Sequence, residues 1–111
     1  MVDRPRARRG QVYLVALDPT LGSEIRKTRP CLIVSPDEMN NHLLTIIVAP
    51  MTTSGREYPW RITCRFQRRS GFVALDQLRT IDRHRLLKRL GRLPPATLAK
   101  VLETLQEMFV E

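Results

Sequence analysis

The chain has 111 residues, is 42% hydrophobic, and carries 19 Lys and Arg against 11 Asp and Glu, a net charge of +8. That length fits one compact domain rather than two independent cores, the apolar share excludes a disordered chain, and no run reaches the ~18 apolar residues of a membrane span. Sixteen of the cationic residues are arginines and three are lysines; the guanidinium fork bonds two acceptors at once, so a polyanion is the expected partner, with an acidic protein a compatible one.

The arginine-rich start, Arg4–Arg9 within residues 1–9, is expected to fray, because Pro5 and clustered like charges disfavour order. The apolar segment that follows, Val12–Leu17, is too short and mixed for a signal peptide, which points to the cytoplasm. A first strand is expected over Gln11–Leu17, closed by the turn signal Asp18-Pro19. Residues 20–29 read as a polar loop, Cys31–Ser35 as a buried strand, and 36–42 as a loop or short helical turn. Leu44–Ala49 is a core strand bounded by Pro50, and 51–58 a third loop. Trp60–Phe66 reads as a strand, Ser70-Gly71 as a turn, and Phe72–Leu75 as the next strand. Asp82 is placed to cap a short helix over 83–87, with strand again at 88–90. The last segment is a helix with Pro95 in its first turn and Leu98, Val101, Leu102, Leu105, Met108 and Phe109 on one face. Short strands followed by one amphipathic helix predict a mainly β fold, a small barrel or curved sheet with the helix packed on it.

Cys31 and Cys64 form no CxxC pair and are expected to be reduced, buried and inert. His42 and His84 stand apart without companion ligands and are expected at the surface, and no Walker or GxGxxG loop is present. Neither a metal nor a nucleotide cofactor is therefore expected, which leaves any chemistry to side chains. RNA suits such a site, because its own 2′-hydroxyl is a nucleophile held beside the phosphate. The protein then needs a base, a cation for the charge on the phosphorane, and a donor for the leaving oxygen. Glu24, Arg26, Lys27, Thr28 and Arg29 place a carboxylate, three cations and a hydroxyl on one loop, and Thr52, Thr53 and Ser54 place hydroxyls after a core strand. Each cluster is also an ordinary polar loop. Tyr58, Trp60 and Phe66 offer faces for stacking on bases, with Trp60 also readable as core or as a protein contact.

The segments RGQVYLVALDPTLGSEIRKTRP (9–30), IIVAPMTTS (46–54), YPWRI (58–62) and GFVALDQLRTIDRHRL (71–86) resemble, in order and spacing, the MazF/PemK family of toxin endoribonucleases. The likeness runs from about Arg9 to the final helix. It implies a barrel resembling an SH3 fold, related to the gyrase-poison toxin CcdB, acting as a homodimer with RNA at or near the subunit interface. It further implies metal-independent, sequence-selective cleavage of single-stranded RNA by transesterification, restrained by an acidic, partly disordered antitoxin. The pattern maps the catalytic pair onto Arg29 and Thr52, with Glu24 a base or substrate-positioning residue. Arg26, Lys27, Thr28, Thr53, Ser54, Asp76, Gln77 and Arg79 are the implied RNA-binding residues, although Asp76, Gln77 and Arg79 also read as a structural network. Some relatives have a histidine where Thr28 stands, and others an arginine where Ala74 stands, so cationic work falls to Arg29 with Arg26. The alternatives are a non-catalytic toxin of this fold that binds a topoisomerase, and a plain RNA-binding barrel.

Overall fold

In the computed structural model, which describes residues 6–111, an antiparallel sheet of seven strands curls around two apolar clusters. The strands are β1 (Gln11–Ala16), β2 (Thr28–Ile33), β3 (Thr45–Thr52), β4 (Arg61–Phe66), β5 (Arg69–Ala74), β6 (Arg79–Asp82) and β7 (Leu86–Arg92). Helix α1 (Asp37–His42) lies between β2 and β3, and α2 (Pro95–Met108) closes the chain. Hydrogen-bonded neighbours run β4-β5-β3-β2-β1-β7, with β6 added to the first half of β3. The two ends of this path are not laddered to each other, but Phe66 of β4 lies against Gly91 of β7, so the sheet is a curled half-barrel.

The fold is the expected mainly β one with a C-terminal helix, and it departs from the sequence reading at several points, among them β6, where no strand was expected, β7, which is longer than the expected 88–90, and four more. First, β3 runs through Pro50 instead of ending before it. Pro50 falls between the last β6 pair, Val48↔Arg79, and the first β5 pair, Met51↔Val73, where the ladder is already broken and a missing N–H is tolerated. Second, the β4–β5 hairpin turns at Gln67 and Arg68, both with positive φ, and not at Ser70-Gly71. Third, β2 begins at Thr28, so Arg29 stands on a strand rather than in the loop. Fourth, Phe109 is 74% exposed, while Thr104 takes an inward position beside Val101.

Asp82 accepts the His84 N–H and caps a short 3₁₀ turn, as expected, although that turn spans only Arg83–Arg85. Of the arginine-rich start, residues 1–5 lie outside the described residues. From Ala7 the chain is packed: Ala7 is buried, Arg9 N–H donates to Asp37, and its Nε donates to the Val34 carbonyl. No helix is long and apolar enough to cross a membrane among the described residues.

Candidate RNA-cleavage site

The site forms where β2 begins and β3 ends. Their register, Ile33↔Val48, Leu32↔Ala49 and Cys31↔Pro50, continued two steps further sets Arg29 opposite Thr52. Facing residues of an antiparallel pair project to the same side of the sheet. Both residues accordingly line one cleft of about 260 Å³, together with Pro30, Met51, Thr53 and the β4–β5 hairpin residues Cys64, Phe66, Gln67, Arg69, Gly71 and Phe72.

Arg29 is half-buried, and its Nε donates to the Arg26 carbonyl at 2.8 Å, which fixes the stem and leaves the terminal nitrogens free of bonds to described residues. Thr52 is buried, and its hydroxyl oxygen accepts the Ser54 N–H at 3.2 Å and lies 3.1 Å from the Ser54 hydroxyl. This local turn orients Thr52 Oγ1 and chains two hydroxyls together. Gly71 permits the geometry: a Cβ there would stand 2.5 Å from the Thr52 carbonyl oxygen, so only glycine lets β5 approach the end of β3 this closely.

The other expected site residues are distributed around this cleft, not within it, apart from Thr53. Glu24 is exposed, and its carboxylate accepts the Leu21 N–H at 2.6 Å, bracing its own loop. Arg26, Lys27 and Thr28 are exposed at the approach to Arg29, with Lys27 at φ +72°. Gln77 Oε1 accepts the Ile25 N–H at 3.1 Å, and Arg79 Nη1 donates to the Leu17 carbonyl at 3.2 Å.

Asp76 is held by both oxygens to Arg61, at 2.9 and 3.0 Å, and the Arg61 guanidinium carbon lies over the Tyr58 ring, 5.4 Å from its centre. Partial burial pushes the Asp76 carboxyl up, but the hydrogen bonds and charge of Arg61 outweigh it and hold the acid below its usual range. An acid so held is anionic at neutral pH. The two cysteines are free, and the expectation that both are buried holds only for Cys31; Cys64 is half-buried and opens onto the cleft. The two histidines are exposed, and no three His, Cys, Asp or Glu side chains gather among the described residues.

Residues 8–109 match the family described as PemK-like, MazF-like toxin of type II toxin-antitoxin system. The chain belongs to this family. It is 40% identical over 110 residues to endoribonuclease PemK of Escherichia coli, an alignment covering 91% of this chain and 80% of that protein. A crystal structure of MazF from Deinococcus radiodurans superposes with a TM-score of 0.81 at 28% identity, covering 96% of this chain and 97% of that one. A mycobacterial endoribonuclease in complex with its cognate antitoxin superposes at 0.77 with 28% identity, covering 91% and 92%.

Sequence reasoning missed Gln67, Arg69, Gly71 and Phe72 as cleft residues of this family member. They come to the site only because the hairpin folds back over β3, a non-local pairing. One signal was legible: QRR before Gly71 is a basic run between two strand-like stretches.

Proposed function

We propose that this chain is a toxin that cuts single-stranded RNA within the strand, in the cytoplasm, as a homodimer restrained by an acidic antitoxin. The observation that carries the reading is the convergence of Arg29 and Thr52 on one cleft from facing strand positions. In the proposed reaction the ribose 2′-hydroxyl gives its proton to a base, its oxygen attacks the adjacent phosphorus, and the P–O5′ bond breaks as the leaving 5′-oxygen takes up a proton. The products are a 2′,3′-cyclic phosphate and a 5′-hydroxyl, and no ion takes part in the bond changes. Arg29 stays protonated at any working pH, so it stabilises the charge that builds on the phosphorane oxygens instead of moving a proton. Thr52, oriented by Ser54, bonds a phosphate oxygen or the attacking hydroxyl. The exposed Arg26, Lys27 and Thr28, with Thr53 and Ser54, flank the path of the strand. Glu24 is the candidate base or positioning carboxylate, with one of its oxygens, Oε1, engaged by the Leu21 N–H.

The test is a mixed-sequence RNA incubated with purified protein in excess chelator, with both new ends mapped. Cuts at a short motif with the stated end chemistry are expected. Arg29→Ala and Thr52→Ala should retain RNA binding while cleavage slows about 10²-fold or more. Full activity in both variants removes the site assignment, and RNA that is bound but never cut leaves only a binding module.

A further inference from the structure

We propose that Arg79 and Arg85 are positioning residues: their guanidinium groups clamp the carbonyls at the root of the 18–27 loop and so fix where Arg29 stands relative to Thr52, without touching RNA. The inference rests on the nuclease reading for its consequence and on hydrogen-bond geometry for its substance. The β1–β2 ladder reaches Ala16↔Thr28, and one further bond, Leu17 N–H to the Lys27 carbonyl at 3.0 Å, closes the neck of the loop. On the other side of β1 the ladder to β7 stops at Val15↔Leu86.

Arg85, the residue before Leu86, continues that ladder with its side chain. Its Nη1 donates to the Ala16 carbonyl at 2.9 Å and to the Asp18 carbonyl at 2.6 Å. Arg79 Nη1 takes the carbonyl between them, that of Leu17, at 3.2 Å. Gln77 adds a third tie, its Oε1 accepting the Ile25 N–H, and Ile25 packs on the core. Three consecutive backbone acceptors at a strand end are thus satisfied by two cations from a segment more than sixty residues away.

The clamp reaches both halves of the cleft. Arg79 pairs with Val48 on β3, the strand that ends at Thr52, while Lys27, whose carbonyl accepts the Leu17 N–H, leads directly into Thr28 and Arg29. A shift of the loop root therefore moves Arg29 against Thr52, and a misplacement of about 1 Å at a reacting centre costs up to ~10²-fold in rate. The contrast with Arg26 and Lys27 supports the assignment: those two cations are exposed and make no side-chain bond to a described residue, whereas Arg79 and Arg85 are half-buried and each commits its Nη1 to the loop root.

The experiment compares full-length wild type with Arg79→Met, Arg85→Met and Arg85→Lys, the last retaining charge and serving if the methionine variants do not fold. Amide exchange at Leu17 and Ile25, measured without RNA, is expected to quicken in all three. Single-turnover cleavage should slow about tenfold with KM nearly unchanged. The salt dependence of RNA binding should keep the wild-type slope, because a cation that touches no phosphate releases no counterion. A slope shallower by about 0.7 in the methionine variants would mean a direct phosphate contact and overturn the clamp. Unchanged exchange also overturns it, as does quickened exchange with an unchanged cleavage rate. The exchange measurement contains no RNA, so a wild type that cuts nothing sinks the nuclease reading alone.

Discussion

Cys31 and Cys64 are the same chemical group in two different solvents. Burial pushes the Cys31 thiol up to about 12, against the opposing pull of the Arg79 and Arg29 charges, and the side chain has no exposed surface. Burial also raises the Cys64 thiol, but that side chain faces the cleft beside Arg29 and Thr52. Thiolate is the reactive form, so alkylation by iodoacetamide should be slow at neutral pH, quicken as pH rises, and fall on Cys64 alone. Modification there should abolish cleavage, short RNA should protect, and Cys64→Ala should be both active and resistant. Labelling of Cys64 with full retention of activity would place the reaction elsewhere. Asp76 gives a second residue-level test. A carboxyl held below its unfolded value contributes stability that is present above the unfolded pKa and lost as pH falls through the folded one. The Arg61–Asp76 pair should therefore help at neutral pH and fail only below the ordinary carboxylate range, and Asp76→Asn should remove that acid-side loss from a urea-denaturation series.

Elements that announce themselves locally were legible in the sequence, and those defined by distant pairing were not. The helix α2 could be read from Pro95 and its apolar spacing, and the Asp82 cap from its side chain, because both depend on neighbours a few residues away. The β4–β5 turn was misplaced because a glycine draws turn assignments, yet Gly71 is mid-strand and its role is to admit the Thr52 carbonyl. That role makes a sharp element-level prediction. Gly71→Ala sets a Cβ 2.5 Å from a backbone oxygen that cannot swing away, so β5 must part from the end of β3. A loss of about 1–3 kcal/mol in unfolding free energy is expected from such overpacking, with a larger fractional loss of cleavage than the stability change alone produces. Urea midpoints and single-turnover rates measured on the same preparation separate the two effects. Unchanged activity in a folded Gly71→Ala would mean that the β5 approach does not shape the site.

At the scale of the whole molecule, the motif series yielded Arg29 and Thr52, which the structure brings to one cleft, but not the hairpin that walls it or the clamp that holds the loop. Motifs mark residue types, whereas a guanidinium spent on a carbonyl and one left in solvent look identical in a sequence. That distinction governs how the net charge of +8 can be used. Arg9, Arg61, Arg79, Arg83 and Arg85 all donate to groups within the protein, which fixes where their charge stands. The cations at or beside the cleft include Arg26, Lys27, Arg29 and Arg69. Four phosphate contacts on single-stranded RNA correspond to a log–log salt slope of about −3. Titration of a short RNA against Thr52→Ala, which should bind without cutting, is expected to give that slope. The same salt series should weaken an acidic antitoxin peptide in parallel, with each ligand displacing the other, because both draw on one field. A flat salt profile, or simultaneous binding of RNA and the acidic peptide, would separate the basic face from the cleft and remove electrostatics as the basis of restraint.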